Sequence, residues 1–182
     1  MALFHFKENF FGASTKPIEI YDEQNNPVYM MSLYYTSSKQ ETFALLGRKK
    51  HNFKIEFDGG SYKVIQERSI EGKLKTPFKT VWEVYKNDTK IGTFETRFGF
   101  KPKIIFNGVK NDSLQFESGF ISRSVKVTDQ QGAAVMETKS ERFKIASNHD
   151  INVTSDQYHP AMLIMLFQVF FEYQEYQRSK SN

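Results

Sequence analysis

Cysteine is absent from this 182-residue chain. Disulfides, thiolate nucleophiles, Cys-ligated zinc, Fe–S clusters and S-palmitoyl anchors are therefore excluded together. Catalytic signatures are missing as well, since the chain has no G-x-S-x-G elbow, no P-loop and no H-E-x-x-H sequence. The segment Met1 to Thr15 carries Lys7 and Glu8 in its middle and lacks the basic start, apolar run and small-residue cleavage site of a secretory signal. That reads as a cytoplasmic protein, for which the sequons at Asn87, Asn111 and Asn152 have no glycosylation role. The one long apolar run, 161–171, is broken only by Gln168 and is 11 residues, against the ~20 that a spanning helix needs. A transmembrane helix is thus not expected.

Aromatic residues are plentiful: 18 Phe, 9 Tyr and one Trp, within a 39% hydrophobic chain. This is enough apolar material to exclude intrinsic disorder, and the length suits one domain over 1–182. Most of the sequence alternates apolar and polar residues between short polar turns. Segments 18–22 and 28–35 flank Gln24 to Pro27, 53–57 and 61–67 flank Asp58 to Gly60, 81–86 and 90–95 flank Asn87 and Asp88, and 124–128 and 133–138 flank Gln130 to Gly132. Each pair reads as a hairpin. Further strands are expected at 101–106, 113–117, 142–146 and 149–154, giving about twelve. Phe4 and Phe6 alternate with His5 and Lys7 as a first strand does; the competing reading has Leu3, Phe4, Phe6, Phe10 and Phe11 dipping into a bilayer interface.

The C-terminus departs from this period of two. Pro160 is a helix-start residue, preceded by the polar stretch Thr154 to Asp156, and the run 161–171 is apolar on every face of three turns. Such a helix, expected over 160–176, must be buried on all sides. A flat sheet covers one side of it, and an eight-stranded barrel fills with its own side chains, whereas about twelve strands leave room for a helix on the axis. The expected fold is mainly β, an antiparallel barrel of about twelve strands wrapped around a buried hydrophobic C-terminal helix.

Three stretches, ENFFGASTKPIEIYDEQNNPVYMM (8–31), SVKVTDQQGAAVMETKSERF (124–143) and DINVT with DQYHPAMLIMLFQVFFEYQ (150–174), resemble the tubby C-terminal-like superfamily. Within it the chain is most similar to the LURP-one-related and bacterial tubby-like branch, with phospholipid scramblases as distant relatives. The resemblance implies a twelve-stranded barrel around a hydrophobic helix, and binding of phosphoinositide headgroups through basic and polar surface residues. The cysteine-rich palmitoylation segment and proline-rich N-terminal region of scramblases have no counterpart in a chain with no Cys and 5 Pro.

Net charge is +4 but uneven: residues 1–40 carry −1, 41–110 carry +7 and 111–182 carry −2. Either a phosphate-bearing partner meets the positive third or its charges sit on solvated strand faces. Arg48, Lys49 and Lys50, beside His51, are the densest positive run and the candidate ligand contacts; Lys73, Lys75 and Lys79 form a looser set. Phe53, Phe57, Tyr62 and Phe78 alternate as core positions do, which disfavours nucleic-acid stacking. His149 with Asp150, and Asp156 with His159, form the one acid–imidazole cluster, at the expected helix entrance; its spacing fits no metal site and suits capping better than acid–base work. The chain therefore reads as a non-enzymatic binding or scaffold module without cofactor or metal. Its expected ligand is an anionic lipid headgroup or phosphorylated metabolite, at the membrane surface in the first case. The alternative is a protein-interaction or regulatory domain without a small ligand.

Overall fold

A computed structural model describes residues 1–8, 15–37, 52–67, 79–97, 103–119, 124–142 and 147–180. It contains β1 (Ala2–Lys7), β2 (Ile18–Asp22), β3 (Pro27–Leu33), β4 (Phe53–Phe57), β5 (Gly60–Gln66), β6 (Val81–Lys86), β7 (Thr89–Arg97), β8 (Lys103–Gly108), β9 (Ser113–Ser118), β10 (Val125–Asp129), β11 (Ala134–Arg142), β12 (Ser147–Val153) and the helix α1 (Pro160–Lys180). Each strand pairs antiparallel with its sequence neighbours, and β1 closes on β12 from Ala2↔Val153 to Lys7↔Asn148. The result is a closed twelve-stranded barrel, with no free sheet edge to template aggregation. Of the expected strand 142–146, Arg142 is the last residue of β11, and 143–146 lie outside the described residues.

Alternation fixes which face of each strand looks inward. Phe4 and Phe6 of β1, Trp82 and Val84 of β6, and Phe94 of β7 are buried, while their neighbours in sequence are not. The first strand is thus a wall strand, and its Phe side chains are core. Phe53 and Tyr62 are core in the same way.

Three hairpins use one turn. In β2–β3, β8–β9 and β10–β11 the amides of Asp22, Gly108 and Asp129 donate to the carbonyls four residues on, and the residue three on has positive φ: Asn25 (62°), Asn111 (62°) and Gly132 (82°). Asn and Gly tolerate that left-handed conformation, and a turn followed by such a residue is a common hairpin closure. Asp22 and Asp129 brace their loops alike, each Oδ1 accepting two backbone amides at 2.8–2.9 Å. In the β4–β5 turn, Asn87 Oδ1 accepts the Ser61 amide (2.8 Å) and sits where a Cβ on Gly60 would meet it at 2.6 Å. A side chain there would displace the residue that joins two hairpins.

Helix α1 runs through the lumen. All of Ala161 to Phe171 is buried, and its neighbours come from around the wall. Phe167 and Phe171 touch His149 of β12, Phe170 meets Phe116 of β9, Tyr173 meets Trp82 of β6, and Gln174 bonds Ser118 of β9. The ten strands of five to seven residues, tilted by about 40°, rise roughly 13–18 Å along a barrel axis, and eleven helical residues rise about 16 Å. The apolar run therefore matches the height of the lumen, and the more polar last turns, continuing to Lys180, extend past it. His159 caps the helix N-terminus: its Nδ1 accepts the Ala161 amide (3.3 Å) and its carbonyl accepts those of Met162 (3.0 Å) and Leu163 (3.4 Å).

Candidate binding surfaces on the rims and the wall

Antiparallel order sorts the connections onto two rims. The tight turns β2–β3, β4–β5, β6–β7, β8–β9 and β10–β11 share one rim with the entry to α1. The connections leaving the other strand ends, including those from β3 to β4 and from β5 to β6, are longer. Arg48, Lys49 and Lys50 belong to the β3–β4 connection and, with Lys73, Lys75, His51, Phe10, Phe11 and Phe78, lie outside the described residues. Lys79 is described and lies 3.9 Å from Glu95.

The described residues carry 15 basic and 19 acidic side chains, whereas the remaining residues carry 10 and 2. All ten of those basic residues fall in sequence between strand ends at the second rim. At the turn rim the balance reverses: seven carboxylates, from Asp22 to Asp156, face Lys86 and Lys110. Of the +7 assigned to 41–110, five units therefore belong to the long connections. On β4–β9 five of the six cations are already paired, Lys54 with Glu56, Lys63 with Asp88 (2.6 Å), Lys90 with Glu83 (2.6 Å), Arg97 with Glu95 (2.9 Å) and Lys103 with Glu117 (2.8 Å).

The acid–imidazole cluster does not exist as a unit, because its two histidines sit toward opposite rims. His149 is inward and fully buried, with Phe6, Phe167 and Phe171 around its ring, while Asp150 points outward as the next residue of a strand must. Its polar partners come from elsewhere: Nδ1 lies 2.8 Å from Ser140 Oγ and Nε2 3.5 Å from Glu8 Oε2. Glu8 Oε1 also accepts from Gln168 Nε2 at 3.2 Å, so the single polar residue of the apolar run is tied to the wall. Burial holds the His149 imidazole down at about 4, outweighing the opposing pull of Glu172 and Asp150.

His159, at the turn rim, packs on Phe57 (4.3 Å between ring centroids), Tyr62 (5.6 Å) and Tyr29 (6.0 Å), and Lys86 Nζ sits 5.7 Å from the centroid of Tyr62. Burial and then the Lys86 charge keep its imidazole below the usual histidine range. A cavity of about 320 Å³ beside it is lined by Ala2, Val153, Tyr158 and His159. Sequence reasoning missed this aromatic mouth because its rings come from four separate elements.

A larger groove of about 860 Å³ crosses the outer wall from β9 to β12 and onto β1. Lys126, Glu137, Lys139 and Asp150 line it, and none of them makes an ion pair among the described residues. Alternating charge in this part of the sequence was its only signal, and solvated strands carry the same pattern.

Among the described residues no group of His, Asp and Glu could hold a metal ion, and no helix is long and apolar enough to cross a membrane. No curated protein and no solved structure matches the chain significantly. The profile of the Tubby C-terminal like domain, by contrast, matches residues 4–173. With that match over nearly its whole length, and a closed barrel around a C-terminal helix, the chain belongs to the Tubby C-terminal like domain family.

Proposed function

We propose that this chain is a non-enzymatic binding module that takes an anionic group, a phospholipid headgroup or a phosphorylated metabolite, at the rim bearing the long connections. The separation of charge carries this reading. A net +8 lies in the segments joining strands at that rim, against a net −4 for the described residues. Helix α1 enters at the acidic turn rim and points its C-terminus to the other, so its dipole opposes the same polarity only weakly and is itself stabilised by it. An anionic surface would orient such a molecule, with Arg48, Lys49 and Lys50 among the contacts and the acidic turns facing away. Each Lys or Arg close to an anionic membrane adds about 1 kcal/mol.

Family membership supports a binding or scaffold role, and an array among the described residues that looks catalytic supports it too. Ser140, His149 and Glu8 are aligned, but the imidazole is enclosed by three Phe rings and leaves no face for a substrate.

The test is cosedimentation with phosphatidylserine-containing vesicles and with neutral phosphatidylcholine vesicles, beside calorimetry with inositol hexakisphosphate as a soluble polyanion. Binding to anionic vesicles that falls as salt rises, and that weakens when Arg48, Lys49 and Lys50 become Gln, supports a headgroup. Saturable binding of the soluble probe alone supports a metabolite. Absence of both at low salt overturns the proposal. A second reading, a protein-interaction domain, is favoured by the unpaired charges of the wall groove.

A further inference from the structure

The barrel wall treats its charges in two ways. Over β4–β9, five of the six lysines and arginines are engaged by carboxylates within the barrel. Across β10–β12, Lys126 and Lys139 make no ion pair among the described residues, although the register brings opposite signs side by side: Lys126 faces Glu137, and Lys139 faces Asp150. Directly opposed side chains are close enough to pair, so these four are available to a third party. They share the groove with Leu3, which is 42% exposed.

We infer that this groove takes an extended peptide segment of the pattern acidic-x-basic-x-apolar. The order follows from the wall: cations on β10 and β11 (Lys126, Lys139), carboxylates on β11 and β12 (Glu137, Asp150), then the apolar Leu3 on β1. From β10 to β1 are three strand spacings, about 14 Å, and the first and fifth residues of an extended chain lie about 13 Å apart. Three alternate side chains of such a chain thus reach the three zones in turn. The groove is concave, which suits a slender chain better than a second barrel wall. Its volume lies within the range of pockets that enclose small ligands.

The experiment uses two capped pentapeptides, Asp-Thr-Lys-Thr-Leu and its charge-exchanged counterpart Lys-Thr-Asp-Thr-Leu, titrated by fluorescence anisotropy with amide chemical shifts followed in parallel. The expected result is saturable binding of the first, about fivefold tighter than the second, with shifts confined to β10–β12 and β1. In a fourfold variant, K126E, E137K, K139D and D150K, net charge is kept and the preference between the two peptides reverses. Should that variant not melt cooperatively, Leu3→Ser is the substitute, expected to weaken the first peptide about fivefold. Equal binding of both peptides, no saturation at millimolar concentration, an unchanged preference in the folded variant, or shifts on another surface each overturns the inference. So does a dimer, seen by sedimentation, that the fourfold substitution abolishes, since the occupant is then a second copy.

Discussion

His149 shows how little an individual side chain's role depends on its neighbours in sequence. Asp150 is adjacent but on the other face of the sheet, whereas the Glu8 carboxylate that meets the ring is 141 positions away. No reading of spacing could find that partner, because barrel closure alone brings β1 beside β12. The imidazole's depression from 6.5 to about 4 has a definite sign. The native state favours the neutral ring, so its contribution is fully present above the unfolded pKa and is lost as pH falls from about 6.5 through about 4. Full protonation costs about 3 kcal/mol. His159, lowered in the same direction, adds to the trend. Urea midpoints measured from pH 7 to pH 4 should fall steeply in the native protein, and His149→Gln should flatten most of that fall. An unchanged slope in the variant would mean that another group governs acid sensitivity.

At the scale of elements, the helix and most strands were legible because burial imposes a period on the sequence. Ten of the eleven consecutive buried residues 161–171 in α1 are apolar, with Gln168 tied to Glu8, and wall strands facing a core on one side are written as alternation. What escaped was contact between distant elements: the aromatic mouth joins His159 to rings of β3, β4 and β5. The expected strand 142–146 falls mostly outside the described residues, Arg142 being the last residue of β11, whereas the capping role read for the cluster at the helix entrance is seen in His159, whose ring nitrogen accepts the Ala161 amide. The Arg48 to Lys50 run had the weakest legibility, since a charge cluster in a connection reports composition and no geometry. One consequence for α1 is testable. Ending the chain after Pro160 removes nine large apolar side chains that line the axis, each contributing about 1.5–3 kcal/mol when buried. Such a truncate should aggregate or bind hydrophobic dyes, without a cooperative melt by circular dichroism. A cooperatively melting truncate would show the helix to be dispensable. The subtler Phe167→Ala, at a fully buried ring, should cost about 3–5 kcal/mol in denaturant titration.

On the scale of the whole molecule, the barrel is polarised along its axis while its wall is divided around its circumference, so two surfaces can be addressed independently. Removing the long-rim cations should leave peptide binding at the wall intact, and the fourfold wall variant should sediment with anionic vesicles as the native protein does. The closed topology also sets an order of events in time. Its last seam joins residues 2–7 to 148–153, a pairing of nearly the longest sequence separation the chain offers, and contacts of that kind form slowly. During synthesis the chain emerges N-terminus first. Strands β1 to β11 therefore leave the ribosome with an inner face of Phe, Ile and Trp and nothing yet to cover it, because the segment that fills the lumen is made after them. The nascent sheet must wait for its own axle, and in that interval it exposes apolar surface of the kind that makes incomplete folds prone to aggregate. The wait also predicts where substitutions act: Phe6→Ala, in the seam, should chiefly accelerate unfolding in stopped-flow chevrons while barely slowing refolding.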